Sequence, residues 1–132
     1  MHEIRLRTAR RSHVVDITSE VGDAVAGASG SAVLVYVPHT TAGVTINEHV
    51  DPELVSDLEG ALERVVGDDW PWRHDDQDGP NASSHVRAAL IGSQVVIPLR
   101  EDGSLALGTW QGVFFCEFDG PRDRTVYVSV LA

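Results

Sequence analysis

The chain has 132 residues, of which 42% are hydrophobic and 23% charged, a composition typical of one globular domain over residues 1–132. Twenty acidic residues against ten arginines and no lysine give a net charge of −10. This charge excludes a generic nucleic-acid binder, because no basic stripe offsets the repulsion of phosphates, and the missing lysine excludes Schiff-base and P-loop chemistry. Without an apolar run long enough for a membrane span or signal peptide, we expect a cytoplasmic protein with no membrane partner.

Strands and helices alternate in the first half of the chain. Polar–apolar alternation or continuous β-branched runs predict the strands. Amphipathic spacing predicts two helices, one capped by Thr18 or Ser19, the other begun by Asp51 as N-cap and Pro52 at the first helical position. The predicted elements are strands 3–8, 13–17, 31–37 and 44–48, a helix from 18 to about 28, and a helix from 52 to Gly67.

A long loop over residues 67–80 separates the two halves, and ordered loops of this length are uncommon unless they are functional. After it, Asn81 or Ser83 begins a helix that Gly92 ends. Tight turns join the later strands, which favours antiparallel pairing. The predicted late strands are 94–99, 105–107, 111–118 and 124–131. The sequence therefore predicts an α+β fold of antiparallel, sandwich-like β-sheets with two or three helices packed on one face.

Three histidines, His39, His74 and His85, lie at element borders or in the long loop. Their spacings of 35 and 11 residues match no compact metal motif, so independent surface or capping roles stay open beside a shared metal site. Acidic side chains that could act as ligands or in proton transfer are Glu48, Asp75, Asp76, Asp78 and Glu117. Glu117 interrupts an apolar run, so it faces either solvent or a polar pocket.

The helix start at Asn81 is a candidate anion site, because its free backbone N–H groups and the positive end of the helix dipole attract phosphate. Thr40 and Thr41 would add hydroxyl groups to such a site. Charge would come from Arg87, Arg122 and Arg124. The alternative interpretation is ordinary helix capping and surface solubility.

A pattern of motifs runs along nearly the whole chain. It consists of Pro38-His-Thr-Thr-Ala42, Asn47-Glu48, Asp51-Pro52, Asp57-Leu-Glu59, His74, Asp78-Gly-Pro-Asn81, His85, Gly92-Ser93, Leu107-Gly-Thr-Trp-Gln111, Glu117 and Asp119-Gly-Pro-Arg122. In this pattern the chain resembles the YjbQ family, known both as an uncharacterised protein family and as secondary thiamine-phosphate synthase enzymes. The segment ending in Gln111, together with the histidines, is its most specific part.

The resemblance implies a compact antiparallel α+β domain assembled as a homotrimer. It also implies that His39, His74 and His85 converge, with Glu117 and Gln111 close by. The activity attached to the family is a weak thiamine-phosphate synthase reaction. That reaction joins a hydroxymethylpyrimidine diphosphate to a thiazole phosphate and releases pyrophosphate.

A divalent metal ion would suit the implied histidine trio. Converging imidazoles disfavour each other's protonation, and neutral imidazole is a good ligand for zinc, while magnesium is possible with a diphosphate substrate. Three protein ligands would leave a fourth position open for water or substrate. We therefore predict His39, His74 and His85 as metal ligands, Glu117, Glu48 and Gln111 as catalytic residues, and Thr40, Thr41, Asn81, Trp72 and Arg122 as contacts to a small phosphorylated substrate.

Trp72 departs from the family pattern, in which a tyrosine-like aromatic is expected two residues before His74. An indole retains stacking on a pyrimidine or a cationic intermediate but offers no phenol. Two further functions stay open at this stage: a non-catalytic trimeric module that binds a metal or an anion, and a metal-assisted hydrolase.

Overall fold

A computed structural model describes residues 1–75 and 80–132 of the chain. In chain order the elements are β1 (His2–Arg7), β2 (His13–Asp16), α1 (Thr18–Val25), β3 (Ala32–Tyr36), β4 (Ala42–Glu48), α2 (Pro52–Val65), α3 (Ala82–Ile91), β5 (Gln94–Pro98), β6 (Gln111–Glu117) and β7 (Asp123–Leu131). None of the helices in the described part of the chain is both long enough and apolar enough to cross a membrane.

The strands of the described residues form two antiparallel sheets. One has four strands in the order β1-β7-β3-β5, and the other has three in the order β2-β6-β4. Alternate residues of both sheets, among them Val35, Phe115 and Val128, meet in one buried apolar core. The predicted antiparallel α+β sandwich is confirmed.

The central strand β6 is buried on both faces. Val113 and Phe115 point into the core between the sheets, whereas Phe114 and Cys116 point to the outer face and pack against α2 and α3. Helix α1 instead buries Val21 in the core between the sheets. Of the three helices given above for the described residues, two therefore cover one face, as the sequence predicts.

Helix boundaries follow from local chemistry. Asp51 caps α2 as predicted, because its carboxylate accepts a hydrogen bond from the N–H of Glu53 at 2.9 Å. Asn81 occupies the N-cap position of α3 without a side-chain cap bond, and the Ala82 N–H donates to the Asp75 carboxylate at 2.8 Å instead. Gly92 ends α3 with a positive φ of 98°, which only glycine adopts without cost.

Several predicted elements are shorter by one or two residues, and two differ more strongly. Helix α1 ends at Val25 rather than near residue 28, and Gly27 leaves the helix with a φ of 75°. The predicted strand 105–107 is reduced to one isolated bridge between Leu99 and Leu105. Both differences occur in short segments, where backbone propensity competes with nearby turns.

Candidate functional site

A buried ion pair closes one end of the core between the sheets. Glu117, the last residue of β6, is 0% exposed, and Arg124 at the start of β7 is 6% exposed. Arg124 donates from Nε to Glu117 Oε1 at 2.8 Å, and its Nη2 donates to Oε2. Both residues occupy positions that point inward by strand alternation, so the pair follows the pattern of the apolar residues beside it.

The remaining lone pairs of Glu117 are also occupied. Thr8 Oγ1 donates to Oε1 at 2.7 Å, and the backbone N–H groups of Phe118 and Asp119 each donate to Oε2 at 3.1 Å. Burial alone would raise the pKa of Glu117, but the hydrogen bonds from Arg124 and Thr8 outweigh it and hold the pKa below its usual range. Glu117 is thus an ionised counterion of Arg124, which argues against proton transfer by this carboxylate.

The segment between β3 and β4 is fixed by hydrogen bonds from residues at the ends of β6 and β7. Arg124 Nη2 donates to Thr41 Oγ1 at 2.7 Å, and the Phe118 N–H donates to the Thr41 carbonyl at 3.1 Å. The Thr125 N–H donates to His39 Nε2 at 3.0 Å. The hydroxyl of Thr41 is therefore turned inward, whereas Thr40 is exposed to solvent.

The start of α3 contacts the same end of β6. Ser84 Oγ donates to the Phe118 carbonyl, and Asn81 Nδ2 donates to Asp119 Oδ2 at 3.2 Å. Arg122 Nη2 donates to the same carboxylate oxygen at 2.9 Å. Phe118 thus binds Thr41 through its N–H and Ser84 through its carbonyl, so loop 39–41 and the first turn of α3 flank residues 117–119.

Two of the three predicted metal ligands lie side by side. The rings of His74 and His85 have centroids 4.9 Å apart and meet edge to face, with an interplanar angle of 81°. Burial of its ring and the positive charge of Arg124 lower the pKa of His39. Within residues 1–75 and 80–132, no group of three or more His, Cys, Asp or Glu side chains is arranged to hold a metal ion.

Glu48 and Gln111 lie at the opposite end of the three-stranded sheet from Glu117. The register pairs Ala42 with Glu117 and Glu48 with Gln111, a separation of six residues or about 20 Å. Glu48 accepts hydrogen bonds from the N–H groups of Val50 and Asp51 at 3.3 and 3.2 Å. Within one copy of the chain, the three predicted catalytic residues are therefore not brought together.

Gln111 and Trp72 each make local contacts. Gln111 Oε1 accepts a hydrogen bond from the Gly108 N–H at 2.8 Å. Trp72 donates from Nε1 to the Gly67 carbonyl at 3.0 Å, and its ring lies 6.1 Å from that of Trp70. The candidate acidic residues Asp76 and Asp78 lie outside the described residues.

Thr8 and Arg124 play a part that the sequence pattern does not predict. The pattern predicts only that Arg124 adds charge to an anion site, whereas in the structure it is the buried partner of Glu117. The signal was present in the alternation of β7, where Arg124 shares the inward phase of Val126 and Val128. An arginine in that phase requires a buried acceptor, and Glu117 is the acidic interruption of the neighbouring apolar run.

Comparison with known proteins places the chain among close relatives. A family profile described as "UPF0047 protein YjbQ-like" matches residues 2–132. The UPF0047 protein YugU of Bacillus subtilis is 42% identical over 97% of this chain and 96% of its own, and a UPF0047 protein of Archaeoglobus fulgidus is 45% identical over 98% and 99%.

Solved structures agree with these sequence relatives. A YjbQ/UPF0047 family protein of Clostridium acetobutylicum is 41% identical and superposes with a TM-score of 0.91 over 99% of this chain and 100% of its own. A YbjQ-like protein of unknown function from Sulfolobus solfataricus is 36% identical, with a TM-score of 0.92 over 98% and 94%.

Proposed function

The chain belongs to the YjbQ-like UPF0047 family, and from this premise we propose that it is a transferase for small phosphorylated substrates with weak thiamine-phosphate synthase activity. The reaction would join a hydroxymethylpyrimidine diphosphate to a thiazole phosphate and release pyrophosphate. The observation that carries the proposal is the convergence of loop 39–41 and the first turn of α3 on residues 117–119. These three segments are distant in the sequence, and each carries or adjoins residues predicted to contact a ligand.

Release of pyrophosphate requires groups that stabilise its developing negative charge. Arg122, whose side chain is half-exposed, is fixed beside the start of α3 by its contacts with Asp119. Asn81 is bound to the same carboxylate. These polar groups, together with the exposed Thr40 of loop 39–41, form the anion-binding part of the proposed site.

A divalent ion, most simply zinc, would be held at the His74–His85 pair. Their ring spacing brings two imidazoles to one place on the molecule, and substrate or water would complete the coordination. Magnesium is the alternative where a diphosphate supplies the oxygen ligands. The family resemblance predicts His39 as a third ligand, but its Nε2 accepts the Thr125 N–H, so the proposed ion is held by His74 and His85 alone.

The proposal is tested by assaying thiamine phosphate formation from the two phosphorylated halves. We expect His85→Ala to reduce the rate at least about tenfold and to remove zinc from protein purified without an affinity tag, because this ring lies at the paired site. His2→Ala, which changes an exposed histidine at the far end of β1, serves as the matched control. Equal rates and equal metal content in the wild type and His85→Ala would contradict the proposal.

A non-catalytic binding module is the second candidate, and the state of Glu117 favours it. The carboxylate oxygens of Glu117 already accept hydrogen bonds from Thr8, Asp119 and Arg124. Glu117 is therefore not free to act as a base beside loop 39–41. Retention of a phosphorylated molecule through purification, with no product formed from the two halves, would support this function. Metal-dependent release of phosphate without a coupled product would instead indicate the hydrolase.

We also propose that the chain assembles with copies of itself as a homotrimer. The outer face of the four-stranded sheet carries a row of partly exposed apolar side chains, among them Tyr36, Val96 and Leu131. The register aligns Val96 with Leu34 and Tyr36 with Tyr127, which makes the row continuous across three strands. A continuous apolar face of this kind is typical of a subunit interface.

Val96→Glu should convert the trimer to monomers, because it places a charge within the apolar face. Val96 is 54% exposed in the single chain, so the charge would be tolerated in the monomer but not in the interface. Light scattering coupled to gel filtration measures the mass. Val65→Glu, on the 73% exposed end of α2, is the control and should leave the mass unchanged. A wild-type monomer, or a trimer that persists in Val96→Glu, would contradict the assignment.

A further inference from the structure

The hydrogen bond between Thr125 and His39 fixes which ring nitrogen of His39 carries a proton. The Thr125 N–H points at His39 Nε2 over 3.0 Å, so Nε2 must present its lone pair. A neutral imidazole with a free lone pair on Nε2 carries its hydrogen on Nδ1. Among the described residues, the ring makes no other hydrogen bond. Its Nδ1 does not belong to the fully buried polar atoms without a partner, so this atom is accessible to solvent.

This tautomer is incompatible with metal ligation by His39 in the same position. A metal ion binds a lone pair, and the lone pair of this ring is already used by Thr125. Binding at Nδ1 would move the hydrogen to Nε2, where two N–H groups would face each other. What His39 offers outward is an Nδ1–H, which is a hydrogen-bond donor for an oxygen atom.

We propose that His39 is a fixed hydrogen-bond donor for a phosphate or diphosphate oxygen rather than a metal ligand. The inference rests on the proposed function for the identity of the ligand, whereas the tautomer follows from the structure alone. The ring is half-buried, so it can be reached at the surface while its orientation is held from within. An orientation set in advance lowers the entropic cost of binding.

The buried ion pair of Arg124 and Glu117 helps to fix the orientation of the His39 ring. Arg124 precedes Thr125 in β7 and binds Thr41, two residues after His39. One arginine side chain therefore ties together the strand that supplies the N–H and the loop that carries the ring. Arg124 acts here as a positioning residue, because its own side chain is buried against Glu117.

NMR of the protein labelled with ¹⁵N-histidine tests the tautomer directly. We expect long-range ¹H–¹⁵N correlations to show Nδ1–H for His39. His13 is an internal control, because its Nδ1 accepts the Ala9 N–H at 3.0 Å and its hydrogen must therefore be on Nε2. The signals are assigned by their loss in His39→Gln and His13→Gln. An Nε2–H tautomer for His39 would overturn the proposal.

Binding of pyrophosphate tests the role of the donor. The amide nitrogen of Asn corresponds in position to Nδ1 of His, whereas that of Gln corresponds to Nε2. We therefore expect calorimetry to show affinity about tenfold weaker or more in His39→Gln and a clearly smaller loss in His39→Asn, which keeps the donor but loses the contact with Thr125. Equal weakening in both variants, or none in either, would contradict the donor role.

Zinc binding separates this inference from the proposed function. If both are right, His39→Asn retains zinc and His85→Ala loses it. If the wild type holds no zinc, the metal part of the proposed function fails, and the tautomer and the pyrophosphate affinities still decide the role of His39. Loss of zinc in His39→Asn would show that His39 is a ligand and would overturn the inference.

Discussion

Glu117→Gln should destabilise the protein by about 3–5 kcal/mol, because it leaves the charge of Arg124 buried without a counterion. This is a large part of the total stability of a domain of this size, which is about 5–15 kcal/mol. Urea unfolding followed by circular dichroism measures the change. Glu63→Gln, on the exposed face of α2, is the control and should change stability by about 0.5 kcal/mol or less.

A double-mutant cycle identifies the ion pair as the cause. The double variant Glu117→Gln with Arg124→Met should be destabilised by less than the sum of the two single variants. Each single variant leaves one buried charge without a partner, whereas the double variant leaves none. A loss below about 1 kcal/mol in Glu117→Gln, or simple additivity in the cycle, would contradict this account of the end of the core.

The same pair makes stability depend on pH in a defined direction. The pKa of Glu117 is lower in the folded protein than its unfolded value of about 4.3. Its contribution is therefore complete above the unfolded pKa and is lost as the pH falls through the folded pKa. The difference in stability between the wild type and Glu117→Gln should accordingly shrink on acidification below about pH 4.

The strands and helices could be read from the sequence where one local signal was strong. Asp51 with Pro52 began α2 correctly, and Gly92 ended α3, because each residue type matches the backbone chemistry of a helix end. The start of α3 was less predictable. Its Ala82 N–H is satisfied by Asp75, a contact between a loop and a helix that no local pattern specifies.

The candidate site was only partly predictable, because its contacts are long-range. The sequence singled out Glu117 as an acidic interruption in an apolar strand, and the structure places it in a polar end of the core. Its partners Thr8 and Arg124 lie 109 and 7 residues away, and only the sheet topology joins them. Glu48 is far from Glu117 because of the antiparallel register of β4 and β6, and the spacing of the motifs in the sequence does not predict that register.

The close approach of α3 to the three-stranded sheet makes Gly43 sensitive to any side chain. An added Cβ at Gly43 would lie 2.5 Å from the Gly92 carbonyl oxygen and 3.1 Å from Ile91 Cγ2. That carbonyl also accepts the Val44 N–H at 3.1 Å, so the backbone of the helix end is held in place. Relief of the clash therefore requires moving α3, which carries His85 and begins after the N-cap residue Asn81.

Gly43→Ala should thus destabilise the protein by about 1–3 kcal/mol, the usual cost of forcing extra volume into a packed interior. Gly60→Ala is the matched control, because a Cβ at this position in α2 meets nothing within 4 Å and alanine favours a helix by about 1 kcal/mol. Urea unfolding should therefore show shifts of opposite sign for the same chemical change. A neutral or stabilising Gly43→Ala would mean that α3 does not rest on β4 at this distance, and the position of the first turn of α3 against residues 117–119 would lose its support.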